Sequence, residues 1–83
     1  MSVIHVSIAY MLFAPRPRTT GELIREARKR RGWSAPELAR QLGVATQTLY
    51  RWEWDAVGVS EQKLVLCCLV LNIPIGSLRG KAA

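Results

Sequence analysis

GWSAPELARQLGVATQTLYRWE, residues 32–53, reads as two short helices and the turn between them. Ser34-Ala-Pro-Glu37 has capping-box spacing: the Ser34 hydroxyl can accept from the amide three residues on, and the Glu37 carboxylate can reach back to the Ser34 amide. Pro36 falls in the first turn, where a missing N–H costs no hydrogen bond, and Gly43 supplies a C-terminal stop. A helix over Ala35–Leu42 follows, with Leu38, Ala39 and Leu42 on its buried face. Gly43-Val44-Ala45 is long enough only for a sharp turn. Beyond it Leu49 and Trp52, three apart, give the next helix one inward face. That helix is expected from about Thr46 to Trp52, with Thr46, Gln47, Tyr50 and Arg51 facing outward.

Working upstream, Thr19-x-x-Glu22 is another capping box, and Gly32 closes the basic run after it. The first helix therefore covers about Thr20–Arg31, with Ile24 and Ala27 inward. Downstream, Ser60 caps a fourth helix that runs to Leu71, where Asn72 can take the left-handed position. Ile73–Leu78 is expected to add a final short turn of helix. At the other end, Val3–Ala14 is apolar but for His5 and Ser7, too short for a membrane span and without the positive start of a signal peptide. Its β-branched and aromatic residues read as a β-strand, although the imperfect alternation leaves a short helix open. Pro15-Arg16-Pro17-Arg18 forms a stiff linker. The chain divides into an arm and linker (1–18), a helical domain (19–79) and a tail (80–83).

At 83 residues a single domain sits near the lower size limit, where a dimer interface is the expected extra support. Cys67 and Cys68, neighbours on a helix, point about 100° apart and read as small buried apolar residues rather than a disulfide or metal site. His5 is the only histidine, and no Cys/His/Asp/Glu group has ligand spacing. No metal, cofactor or enzymatic activity is expected. The net charge is +6, and its location says more than its size. Residues 1–15 are uncharged, and from Trp52 onward Glu53, Asp55 and Glu61 balance Lys63, Arg79 and Lys81. The whole excess lies between Arg16 and Arg51, where it coincides with a motif of two helices that needs phosphate contacts. Nucleic acid is therefore favoured over a membrane or an acidic protein.

Two helices joined by a glycine-containing turn, the second polar outside, make a helix-turn-helix unit suited to the major groove. The stretch 32–53 also resembles the lambda-repressor/Cro-like (xenobiotic-response-element, XRE-type) family, whose pattern runs G, hydrophobic, S, two variable residues, E-L-A, two variable, L-G-V, then a recognition helix ending in a hydrophobic residue and E. Ile24-Arg25-x-x-Arg28 is similar to the family's first helix. Ser60, Leu64, Cys68, Leu71-Asn72-Ile73 and Leu78 follow its fourth and fifth, so the resemblance covers residues 20–79. It implies an all-α, five-helix lambda-repressor-like DNA-binding domain, to which the apolar arm is an addition.

By that resemblance Thr46, Gln47 and Arg51 face base edges, and Ser34 is both helix cap and phosphate contact. Thr48 and the loop after Glu53 lie near the DNA backbone, and Arg28 with Glu53 forms an internal ion pair that orients the recognition helix. Tyr50, Arg30, Arg31 and Arg40 are expected as further phosphate contacts. The base chemistry agrees: Arg can grip guanine, Gln adenine, and Thr offers a hydroxyl or a methyl. There are departures. Ala35 stands where the family commonly has a phosphate-contacting Gln, and Ala45 where it has a capping Ser or Thr. Pro36 and Trp54 are unusual, and Trp54 can either shield the DNA backbone or pack on helix one.

In the family the positions of Leu66 and Leu69 are usually polar. Here Leu66, Leu69, Val70 and Ile73 make a second apolar stripe on helix four. With Val3, Val6, Ile8 and Tyr10 of the arm it forms the expected dimer or partner surface, the arm either pairing between chains or folding back. The resemblance implies a cytoplasmic, nucleoid-associated, sequence-specific transcriptional regulator. It is expected to be a dimeric repressor of a phage, mobile-element or autoregulated operon, bound to double-stranded DNA at a palindromic operator. The alternatives are the antitoxin of a toxin–antitoxin pair, with the toxin as protein partner, and an interaction adaptor that has kept the fold.

Overall fold

A computed structural model of the chain describes residues 18–80, and the arm residues Val3, Val6, Ile8 and Tyr10 lie outside them. Four α-helices follow in order: α1 (Thr20–Arg30), α2 (Ala35–Leu42), α3 (Thr46–Glu53) and α4 (Glu61–Leu71). Each starts where the local chemistry favours it. Glu22 N donates to Thr19 Oγ1 at 3.2 Å while Thr19 N donates to Glu22 Oε1 at 2.9 Å, which closes the first capping box. At α2 the same exchange joins Ser34 and Glu37, and Gly43 ends the helix at φ 72°. Lys63 N donates to Ser60 Oγ at 3.3 Å to cap α4, which stops at Asn72 in the left-handed conformation, φ 56°. Only α3 begins without a side-chain cap, because Ala45 offers no acceptor.

The fifth helix is not formed. Ser77 N donates to Pro74 O at 3.1 Å and Arg79 N to Gly76 O at 3.1 Å, so the segment after α4 is a pair of turns. Gly76 at φ 97° breaks the helical repeat, and Pro74 has no N–H to contribute to one. The turns still deliver Leu78 to the core at 2% exposure. Among the described residues the domain is thus four helices and a turn-rich C-terminal segment.

In the core, α1 packs on α3, α2 on α3, and α4 closes against α2 and α1. Ile24, Leu38, Leu49 and Cys67 are fully buried at its centre. Burial, with the neighbouring Cys68 second, pushes the Cys67 thiol up to about 11, so it stays protonated and unreactive at neutral pH. The apolar stripe on α4 is narrower than its sequence suggests. Leu66, Val70 and Ile73 are half-buried against the core, and only Leu69, at 65% exposure, projects fully. Ile75 in the following turn is equally exposed at 65%.

Candidate nucleic-acid interface

The recognition-type helix α3 is short, and its orientation comes from what its ends touch. Leu49 and Trp52 turn inward, and the next residue, Glu53, is 2% exposed. A buried carboxylate is costly unless paired and hydrogen-bonded. Arg28 meets it with two bonds, Nε to Oε2 at 2.7 Å and Nη2 to Oε1 at 2.9 Å, and its third nitrogen, Nη1, donates to Trp33 O at 3.1 Å. One guanidinium from α1 therefore fixes both the end of α3 and the turn leading into α2. The hydrogen bonds that Arg28 donates to Glu53, together with the attraction of that carboxylate's charge, hold the Arg28 pKa above its ordinary value against desolvation. Both members of the expected ion pair are thus brought together.

Two further residues complete this junction, and sequence reasoning passed over both. Gly21 lies where α1 crosses the end of α3. A Cβ there would overlap Trp52 O and stand 2.7 Å from Asp55 Oδ1 and 2.8 Å from Glu53 O. Asp55, in the left-handed conformation at φ 58°, accepts from Thr19 Oγ1 at 2.6 Å and from Gly21 N at 3.1 Å. Its carboxylate faces the positive end of α1, the favourable end for an anion. The available signal was a glycine in the first turn of an otherwise strong helix, which calls for a close-approach explanation.

On the opposite side of α3, Gln47, Tyr50 and Arg51 are exposed, while Thr46 and Thr48 are half-buried. Ser34 is exposed at the start of α2, and so are Arg30 and Arg40. Among the described residues, ion pairs join only Arg18 to Glu26, Arg28 to Glu53 and Arg79 to Glu61. Lys29, Arg30, Arg40 and Arg51 thus join no ion pair with a described carboxylate, although the charge of Arg40 acts on Glu37 from nearby. Arg31 is placed differently. Its Nη1 donates to Leu71 O at 3.0 Å, and its guanidinium lies over the Trp33 ring at 4.8 Å. It supplies a cation at the negative end of α4, whose last turn has no basic residue of its own. Trp54 packs towards α1, with the Arg25 guanidinium over its ring at 4.5 Å.

No group of three or more His, Cys, Asp or Glu side chains among the described residues is arranged to hold a metal ion. No helix there is long and apolar enough to cross a membrane.

A capped helix, a left-handed glycine turn and a second helix with a polar outer face define a helix-turn-helix domain. The helix-turn-helix family model matches residues 24–78. The chain belongs to this XRE-type helix-turn-helix family. Among solved structures it is similar to the master regulator for biofilm formation SinR, crystallised in complex with DNA. The two share 33% identity with a TM-score of 0.68, over 72% of this chain and 97% of that one. No curated protein matches the chain in sequence.

Proposed function

We propose that the protein is a DNA-binding transcriptional regulator that lays the outer face of α3 in the major groove. The observation that carries this reading is the contrast around α3. Its inner side is fixed by the Arg28–Glu53 pair, while Gln47, Tyr50 and Arg51 stand exposed, with no ion pair to Arg51 among the described residues. Thr46, Gln47 and Arg51 read base edges in this proposal. Ser34, Thr48, Tyr50, Arg30 and Arg40 meet phosphate, and Arg31 does so with the donors that Leu71 leaves free. The likeness to SinR bound to DNA supports the assignment.

The finer reading is a homodimeric repressor of a phage, mobile-element or autoregulated operon, acting in the cytoplasm on a palindromic operator. Exposed Leu69 and Ile75 support a self-association surface, to which the arm residues Val3, Val6, Ile8 and Tyr10 contribute. A two-fold axis there spaces two copies of α3 for successive major grooves, about 34 Å apart. Titration of duplex DNA at several salt concentrations tests the central reading. If about six phosphates are neutralised, the logarithm of the affinity falls with that of salt at a slope near −5. Binding indifferent to salt would remove the electrostatic basis of the assignment. For the dimer, deletion of residues 2–14 is expected to yield a folded monomer that still binds random DNA weakly. A deletion that stays dimeric with unchanged operator affinity contradicts it.

A further inference from the structure

We infer that Arg25, held by the ring of Trp54, forms a further phosphate-contacting site on the DNA backbone at the C-terminal end of α3. The inference rests on the reading of α3 as the groove-binding helix and adds a site that its polar face does not include. Trp54 follows the last residue of α3, yet its amide still donates to Tyr50 O at 3.0 Å, as helical bonding requires. Positions 50, 51 and 54 lie three, four and seven residues after Gln47, so Trp54 extends the exposed line of α3 by one turn. It is 66% exposed, a large share of an indole to leave in water.

What it does have is a cation. Arg25 lies over the ring at 4.5 Å. On α1, Gly21, Arg25 and Arg28 recur at four and seven residues, a single row that runs along the end of α3. Gly21 touches the carbonyls of Trp52 and Glu53, and Arg28 grips the Glu53 side chain. Arg25 sits between them in this row. The carboxylates within reach of its helix are engaged elsewhere: Glu26 with Arg18, Glu22 with the Thr19 cap and Asp55 with Thr19 and Gly21. Arg25 itself has no ion pair among the described residues, so its N–H donors remain available.

The physical role follows from position and charge. A recognition helix starts its base contacts at its N-terminal residues, which leaves the end beyond Arg51 facing the sugar–phosphate strand at the rim of the groove. That end carries the negative pole of the helix and repels phosphate. Arg25 places a full positive charge there. Stacking on Trp54 restricts the guanidinium in advance, so less freedom is lost when it meets an anion. Trp54 is thus a positioning residue for Arg25.

The test compares wild type, Arg25→Ala, Arg25→Lys, Trp54→Phe and Trp54→Ala in titrations against random-sequence duplex DNA at several salt concentrations, with thermal unfolding of each. Arg25→Ala is expected to weaken binding roughly threefold to tenfold and to lower the salt slope by about one. Arg25→Lys should restore the slope, and Trp54→Phe should retain most of the affinity. Trp54→Ala should weaken binding in wild type but add little to Arg25→Ala, the signature of a residue that acts through its partner. An Arg25→Ala protein with wild-type affinity and slope, whatever its melting temperature, overturns the inference and leaves the proposed function standing. Wild-type protein whose binding ignores salt overturns both.

Discussion

Glu53 and Arg51 lie two residues apart on α3 and are treated in opposite ways. Glu53 is 2% exposed and takes two hydrogen bonds from Arg28, while Arg51 is exposed and paired with no described carboxylate. The inner end of the helix spends its charge inside the protein, where the partner is fixed and water is excluded. The outer face leaves its charge open. Changes on the inner side should therefore appear first in stability, and changes on the outer side in binding with little change in stability.

Glu53→Ala gives the largest expected effect, a loss of about 3–5 kcal/mol in unfolding free energy, because it leaves Arg28 as a buried charge with no carboxylate to balance it. Denaturant unfolding measures it. Replacing both partners, Arg28→Met with Glu53→Leu, should cost less than Glu53→Ala alone, since no charge is then stranded. A double variant worse than the single would mean that the pair contributes stability beyond its mutual neutralisation.

Gly21→Ala comes next, at about 1–3 kcal/mol, because a methyl group there meets backbone carbonyls that cannot move aside cheaply. Its thermal unfolding should fall although alanine is the better helix former, and unchanged stability would mean that α1 and α3 separate easily. Smaller again is Ala45→Ser, which gives α3 the side-chain cap it lacks and should raise stability by about 0.5–1 kcal/mol. A neutral result would place the first amides of α3 beyond reach of the new hydroxyl.

The smallest effect concerns acid. The backbone amide of Ser34, and then its hydroxyl, hold the Glu37 carboxylate below its ordinary pKa of 4.5. A depressed folded pKa contributes stability above the unfolded value, lost as pH falls through the folded one. Glu37→Gln, which removes the titrating carboxylate, should therefore flatten the decline of stability below about pH 4.5, measured as melting temperature against pH. An unaltered slope would exclude the Ser34–Glu37 exchange as its source.

Capping made most of the fold legible. The starts of α1, α2 and α4 each carry a serine or threonine with a defined geometric task, and Gly43 and Asn72 mark ends that only residues tolerant of left-handed backbone serve well. The fifth helix is implied by the family resemblance, whereas Gly76, at φ 97°, turns the backbone after α4 out of the helical repeat. The Arg28–Glu53 pair was legible through family resemblance alone. Spacing along the chain does not say which of nine cations between Arg16 and Arg51 turns inward. Asp55 and Gly21 were illegible for the same reason, since their task exists only once α1 crosses α3. For Trp54 the sequence leaves two roles open, and its contact with Arg25 shows that packing towards helix one and facing outward are compatible.

The central claim is that the outer face of α3 reads bases, and Arg51→Ala tests it most directly. A duplex selected from a random pool by the wild-type protein is compared with random-sequence duplex at one salt concentration, for wild type and variant. The account predicts a loss of about 1–3 kcal/mol on the selected duplex, relaxed preference at one base pair and little change on random DNA, with melting temperature preserved. Equal losses on both duplexes, or none on either, would contradict it.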